Sequence, residues 1–242
     1  MAKLLGDGVL IVWVDLKDEA RSAADRWYEQ EHLPERITHA GYLRARRFAA
    51  VRAAPAYMAV FEADTPAGLA SEGYSRITSR INPRSHAIRA AFTRCIRSTH
   101  RRLASFGDAE AGVMVCSRLR FTGEVQRAAF EAWAPLHFQP WVQGHEAVLA
   151  GHALAGAPEV RQRMDSFRET GQADEWADAV LLLELGQEAD ADAALLRMLS
   201  LDGLAAAGVQ AAEIDTGTYR CMLGFTAGAA TSHTSQEKTC AA

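Results

Sequence analysis

Residues 26–48, RWYEQEHLPERITHAGYLRARRF, decide the fold because they contain the end of a helix and the beginning of a strand. The helix is predicted from apolar residues that recur at helical spacing on one face: Ala20, Ala23, Ala24, Trp27 and Tyr28. Pro34 and Gly41 are predicted to close it. Residues 41–51, GYLRARRFAAV, are then predicted to form a strand.

The segments on either side complete one β-α-β-β-α-β unit. Residues 8–16, GVLIVWVDL, are rich in β-branched residues and are predicted as the strand before the helix. Residues 56–64, AYMAVFEAD, are predicted to pair with the strand just described through a turn at 52–55. A second helix is predicted near residues 86–92, followed by a strand over 93–103.

The same order of elements returns in the second part of the chain. Strands are predicted at 112–121, 147–154, 177–186 and 214–225, and helices at 124–141 and 190–204. The first of these helices is predicted to bury Val125, Ala129, Trp133 and Leu136. A polar insertion over 158–175 separates the two middle strands.

Two consecutive units of this kind predict an α+β fold. We expect two tandem ferredoxin-like halves, residues 1–107 and 108–225, whose antiparallel sheets pack into one barrel. Residues 226–242 lack periodicity and are predicted to be disordered.

Composition excludes several classes of protein. The 242 residues are 49% hydrophobic and carry a net charge of −4, so we expect a globular protein that does not bind nucleic acid. No apolar run reaches the roughly 18–20 residues that span a bilayer, so no membrane insertion is expected. Asp7 interrupts the apolar N-terminal stretch, which favours a strand over a signal peptide. The four cysteines show no Cys-x-x-Cys spacing, which favours a reduced, cytoplasmic protein.

An aromatic residue and a histidine occur four residues apart in both halves. Tyr28 and His32 precede Pro34, and Trp133 and His137 precede a proline as well. Residues at this spacing share a helix face, so each half is predicted to present an aromatic–histidine pair where its apolar face ends.

At these residues the chain resembles the EthD-like branch of the dimeric α+β barrel superfamily. The resemblance is carried by WYEQEHLPERI at 27–37, GYLRARRF at 41–48 and YMAVFEAD at 57–64. It implies ferredoxin-like sheets packed face to face, a pocket between sheet and helices, a histidine as acid–base group, and a homodimer. Such proteins include isomerases, cyclases, dehydratases and monooxygenases without cofactor, and also haem enzymes. The second half departs from this motif, because LHFQPW at 136–141 keeps the histidine but loses the glutamates and the arginine.

The candidate site is centred on His32, which can take up and return a proton near neutral pH. Glu31 and Glu35 are candidates to fix its tautomer or steady its cation, and Arg36 to bind a carboxylate or phenolate. An apolar pocket is predicted from Trp13, Tyr28, Tyr57 and Phe61. Ordinary core packing explains these aromatic residues too, and a helix-end histidine interacting with the helix dipole explains His32.

The preferred function is a lyase or isomerase acting by proton transfer on a small aromatic or polyketide-like compound. The alternatives are a cofactor-free monooxygenase of phenols and a non-catalytic protein that binds apolar ligands. We expect no cofactor and no metal, because Pro140, Gly144 and Gly151 interrupt the segment that carries His137, His145 and His152. Nucleotide-binding and serine-hydrolase motifs are also absent from the sequence.

Overall fold

The computed structural model describes residues 4–167 and 175–228. Within them, eight strands form a closed antiparallel barrel. The strands are β1 (Gly8–Leu16), β2 (Arg44–Arg52), β3 (Tyr57–Ala63), β4 (Phe92–Phe106), β5 (Val113–Arg120), β6 (Val148–Gly156), β7 (Ala179–Leu185) and β8 (Glu213–Thr226). The predicted disorder at the C-terminus concerns residues that lie, from 229 on, outside the described part.

Helices cover the outside of the barrel. They are α1 (Arg21–Trp27), α2 (Leu33–Thr38), α3 (Glu72–Thr78), α4 (Pro83–Ala90), α5 (Glu124–Gln143), α6 (Pro158–Asp165), α7 (Ala193–Met198) and α8 (Leu201–Ala206). A π-helical turn, Tyr28–His32, joins α1 to α2, and short 3₁₀ turns occur at Asp18–Ala20, Ala67–Ala70 and Glu188–Asp190. None of the described helices is long and apolar enough to cross a membrane.

The strand order is the same in both parts of the chain. The first four strands are arranged β4-β1-β3-β2 and the last four β8-β5-β7-β6. Antiparallel pairing of β2 with β8 and of β4 with β6 closes the barrel. The predicted α+β class and antiparallel barrel are thereby confirmed, and the barrel closes within a single chain.

Three hydrophobic cores follow from this closure. One core takes residues from all eight strands, including Trp13, Phe48 and Leu182, and therefore fills the barrel. The other two lie outside the barrel between strands and helices, one mainly in each half of the chain. Successive side chains on a strand point to opposite faces, so Trp13 belongs to the barrel core while Leu10 belongs to an outer core.

Pro34 does not end the first helix, contrary to the sequence prediction. The helix widens into the π-helical turn, in which the Leu33 N–H donates to the Tyr28 carbonyl five residues back. Pro34 then stands at the start of α2, where its missing N–H is tolerated. The segment ends at Thr38, and Gly41 adopts a φ of 76°, which favours glycine.

Helix α5 buries a different face from the predicted one. Val125 and Leu136 are 79% and 70% exposed, and Ala129 is also exposed. The buried residues are Phe130, Trp133, Ala134, Phe138 and Val142. Two apolar rows run along this helix, and the row with the larger aromatic side chains lies inside because it removes more apolar surface from water. Burial of Ala24, Trp27 and Trp133 was predicted correctly.

The polar insertion contains helix α6, which packs on the first half of the chain. Val160 and Met164 join the outer core that also contains Trp27 and Leu10. Phe167, which follows α6, lies 6.4 Å from Tyr74 between ring centroids. The second half of the chain therefore supplies part of the surroundings of the first-half helices.

The two faces of α5 give a test of the packing. Phe130→Ala should lower the free energy of unfolding by about 3–5 kcal/mol, because it removes a buried ring and leaves a cavity. Val125→Ala should change it by less than about 0.5 kcal/mol, because that side chain is exposed. Urea denaturation of both variants measures the difference, and equal losses would contradict the packing described here.

Candidate functional site

A cavity of about 260 Å³ lies between the outer face of the first-half strands and the helices above them. Its apolar lining comes from Leu10, Val12, Trp27, Tyr28, Phe61, Ile81, Ala90 and Phe92. Its polar lining consists of His32, Arg36, Tyr74, His86, Arg89, Arg94, Cys95 and Arg97. No carboxylate belongs to the described lining, so the cavity combines aromatic walls with four arginines.

His32 is held by aromatic rings. Its ring stacks on Trp27 at 4.1 Å between centroids, with an interplanar angle of 26°. Tyr28 and Phe61 present edge-to-face contacts at 5.1 and 5.9 Å. Among the described residues no hydrogen-bond partner is found for its Nδ1, which is buried. The imidazole is therefore oriented by packing and keeps its hydrogen-bonding capacity for another partner.

Glu31 forms a hydrogen bond with Trp27. Its Oε1 accepts hydrogen bonds from Ser85 Oγ (2.5 Å), Asn82 Nδ2 (2.6 Å) and Trp27 Nε1 (3.2 Å). Burial opposes the ionisation of Glu31, but these hydrogen bonds outweigh it and lower the pKa of the carboxyl. The hydrogen bonds of Glu31 Oε1 thus go to Trp27 and to the start of α4, and a role of Glu31 in fixing the tautomer of His32 stays a prediction.

The surroundings of His32 disfavour its cation. Burial, and then the positive charges of Arg36, Arg89 and Arg47, lower the pKa of His32 well below its ordinary value. Desolvation and the nearby arginines therefore outweigh a favourable interaction of the His32 cation with the helix dipole. The ring is neutral at physiological pH and can accept a proton.

Arg47 lies behind the aromatic wall. Its guanidinium stands over the rings of Tyr28 (4.0 Å) and Tyr57 (4.7 Å) and forms an ion pair with Asp25, 2.8 Å from Nη1 to Oδ1. Burial raises the pKa of Tyr28 to about 12, although the Arg47 charge opposes this shift. Tyr28 is thus a neutral phenol that contributes its ring to the cavity.

The structure brings together four of the predicted site residues: Tyr28, His32, Arg36 and Phe61. Glu31 lies directly behind them. Glu35 is half-buried and does not line the cavity, and burial raises its pKa. Tyr57 lies under Arg47, outside the lining, and Trp13 points into the barrel, on the opposite face of the sheet.

Several lining residues were missed from the sequence. Arg89 and the exposed His86 lie three residues apart on α4, in a segment whose helical pattern was recognised but whose partner was not. Arg97 and Cys95 alternate on β4 and face outward with Leu10 and Val12 of β1. The alternation of inward and outward side chains along β4 could have identified Cys95 and Arg97. Using it would have required knowing which face of that strand lies inside the barrel.

His137 of the second half does not line the cavity described above. That side chain is exposed on α5, and the space between sheet and helices is filled by the core that contains Phe130, Phe138 and Leu195. The other two histidines of that half lie apart from it: His145 contacts Asp192 at 3.3 Å, and His152 is buried beside Ser105 and Glu184. No group of three potential metal ligands occurs among the described residues.

Comparison with solved structures defines the fold class. An "anthrone oxidase-like protein" is 16% identical, with a TM-score of 0.60 over 92% of this chain and 93% of that one. A "putative monooxygenase" from Lactobacillus acidophilus NCFM is 8% identical, with a TM-score of 0.55 over 91% and 96% of the two chains. Another from Fusobacterium nucleatum is 10% identical, with a TM-score of 0.52 over 92% and 95%. At these sequence identities the likeness concerns the fold alone.

No protein-family model matches the sequence, and no curated protein matches it. The likeness to known proteins is therefore a likeness of fold.

The neutral state of His32 can be tested directly. Between about pH 7.5 and 5.5 its ring resonances should stay at the positions of neutral imidazole, because its pKa lies well below the ordinary value of about 6.5. Two-dimensional NMR of protein with ¹⁵N-labelled histidine measures this, and His32→Gln assigns the signal. A titration midpoint near the ordinary value would contradict the described electrostatics.

Proposed function

We propose that the protein is an enzyme that removes a proton from a small aromatic substrate and oxygenates the resulting anion with dioxygen. The observation that carries this proposal is a neutral histidine, His32, stacked on Trp27 in a cavity with aromatic walls and several arginines. A neutral imidazole is a base, aromatic walls suit a planar ring, and positive charge stabilises the anion that deprotonation creates.

The reaction is consistent with this set of groups. His32 takes a proton from a phenol or from a methylene carbon activated by neighbouring rings, and the arginines of the cavity lining stabilise the anion. The anion forms a bond to dioxygen, and the imidazolium returns its proton to the peroxide oxygen. For a methylene substrate, loss of the second carbon-bound proton then breaks the O–O bond, so that CH₂ and O₂ become a carbonyl group and water.

Oxygenation is favoured over the lyase or isomerase reaction preferred from the sequence. Similar folds are described as anthrone oxidase-like and as monooxygenases, and none of these descriptions names a lyase or isomerase. Proton transfer by His32 alone would still serve an isomerase. That reaction and simple ligand binding are therefore outcomes that the experiment below distinguishes.

We further propose that residues 1–107 and 108–225 are tandem ferredoxin-like halves of an EthD-like protein. The shared strand order supports this, together with the equal spacing of Tyr28–His32 and Trp133–His137. A homodimer and a cytoplasmic location also remain proposals. The exposed apolar row of α5 is compatible with a homodimer, and the thiols of Cys116 and Cys221 are compatible with a cytoplasmic location.

Oxygen consumption tests the reaction. With a hydroxylated anthrone as test substrate, the protein should consume dioxygen at a rate that survives treatment with a chelator. His32→Gln should reduce the rate at least about a hundredfold, the usual minimum for loss of a general base. His137→Gln is the matched control, and it should leave the rate within about twofold because that side chain is exposed and distant from the cavity.

Three results would argue against oxygenation by His32. Product formed at the same rate without dioxygen would indicate a lyase or isomerase. A compound that binds and is recovered unchanged would indicate a ligand-binding protein. Equal rates in wild type and His32→Gln, with oxygen consumed, would mean that the histidine is structural.

A further inference from the structure

Arg36 is a buried cation without an anionic partner among the described residues. It is 4% exposed, its Nη1 is buried without a hydrogen bond, and it lines the cavity. Two other arginines of the lining are paired, Arg94 with Glu175 and Arg97 with Asp165. Arg36 differs from both, because no described carboxylate lies within ion-pair distance of its guanidinium.

The contacts that Arg36 does make compensate its burial only in part. Its guanidinium stands over the ring of Tyr74 at 5.2 Å, and it lies in the last turn of α2, where a positive charge interacts favourably with the helix dipole. Glu35 is near enough for Arg36 to influence its ionisation but forms no ion pair with it. A buried guanidinium nitrogen without a hydrogen bond is destabilising, so binding of an anion beside Nη1 would be favourable.

The walls of the cavity indicate what carries that anion. Leu10, Phe61 and Phe92 provide an apolar surface for a planar ring, and His32 lies one helical turn before Arg36. A guanidinium presents parallel N–H donors that match the two oxygens of a carboxylate. A ring bearing a carboxylate can therefore contact the apolar wall and Arg36 simultaneously.

We propose that the cavity binds aromatic carboxylates, with Arg36 as the residue that recognises the carboxylate group. This names the substrate class of the proposed enzyme and rests on that proposed function for the role of His32. The substrate then carries a negative charge before the reaction begins, and the same ring without the carboxylate still enters the cavity but binds more weakly.

Calorimetric titration with three probes of equal ring size tests the proposal: 2-naphthoate, 2-naphthamide and 2-naphthol. The wild type should bind 2-naphthoate at least about tenfold more tightly than either neutral probe, the difference expected for one charge-assisted hydrogen bond. Arg36→Gln should weaken 2-naphthoate by about the same factor and leave 2-naphthamide nearly unchanged. Arg76→Gln makes the same change of charge on an exposed arginine outside the cavity and should have little effect.

Stability gives a second, independent measurement. Arg36→Met should have a melting temperature equal to or above that of the wild type without ligand, because it removes a buried charge that lacks a partner. A melting temperature lower by more than a few degrees would make Arg36 a structural residue. Equal affinity of the wild type for 2-naphthoate and 2-naphthamide would overturn carboxylate recognition. An equal loss of affinity for both probes in Arg36→Gln would overturn it as well.

Binding and turnover separate the two proposals. If 2-naphthoate binding depends on Arg36 and survives in His32→Gln while no test substrate consumes dioxygen, the carboxylate site stands and the oxygenation falls. If oxygen uptake depends on His32 while substitution of Arg36 leaves 2-naphthoate binding unchanged, the proposed reaction is supported and the proposed carboxylate site is contradicted.

Discussion

Closure of the sheet into a barrel divides each strand into an inward row and an outward row of side chains. The division is clearest on β2, where Arg46 points inward and forms an ion pair with Glu184 of β7 at 2.9 Å, whereas Arg47 points outward over Tyr28. Arg44, also inward, binds Glu62 at 2.7 Å. Although burial opposes it, the pKa of Glu184 is lowered to about 2 by His152, Arg46 and the Ala111 N–H. Inward arginines are thus paired with carboxylates of other strands, whereas the outward Arg47 is paired with Asp25 of α1.

The layer between strands and helices differs between the two halves of the chain. In the first half the layer between strands and helices contains the short segments α1, α2 and α4, and Ser85 and Asn82 hold α4 against Glu31. In the second half the single long helix α5 inserts Phe130 and Phe138 into the corresponding layer. Long aromatic side chains on one continuous helix fill the space that broken helices leave open.

The sequence predicted the elements well because their signals are local. Apolar periodicity located the strands and helices, and the four-residue spacing of Tyr28 and His32 placed both in the cavity. The sequence could not show that Trp13 lies inside the barrel, because both faces of β1 are apolar. Only the pairing of β1 with β3 and β4 decides which face is turned inward.

Long-range partners were beyond the reach of sequence patterns. Glu31 looks like a partner for the adjacent His32, yet its carboxylate binds Ser85, which is 54 residues away. The same applies to α5, which carries two apolar rows. The row that contains Phe130 is buried because of the strands and helices it packs against, which the sequence of α5 alone does not show. The π-helical turn depends on how α1 and α2 pack, and Pro34 alone suggested a helix end instead.

In a barrel formed by two identical chains, symmetry makes the two sheets identical in sequence. A barrel that closes within one chain does not have this constraint. In the two-chain form every substitution enters both sheets, so a side chain that fills one cavity fills its twin. Here Phe130 can occupy its layer without any effect on the layer beside His32. Substitutions that stabilise the half containing Phe130 can therefore occur at different residues from those that shape the cavity beside His32. The molecule can thus become more stable without closing its cavity.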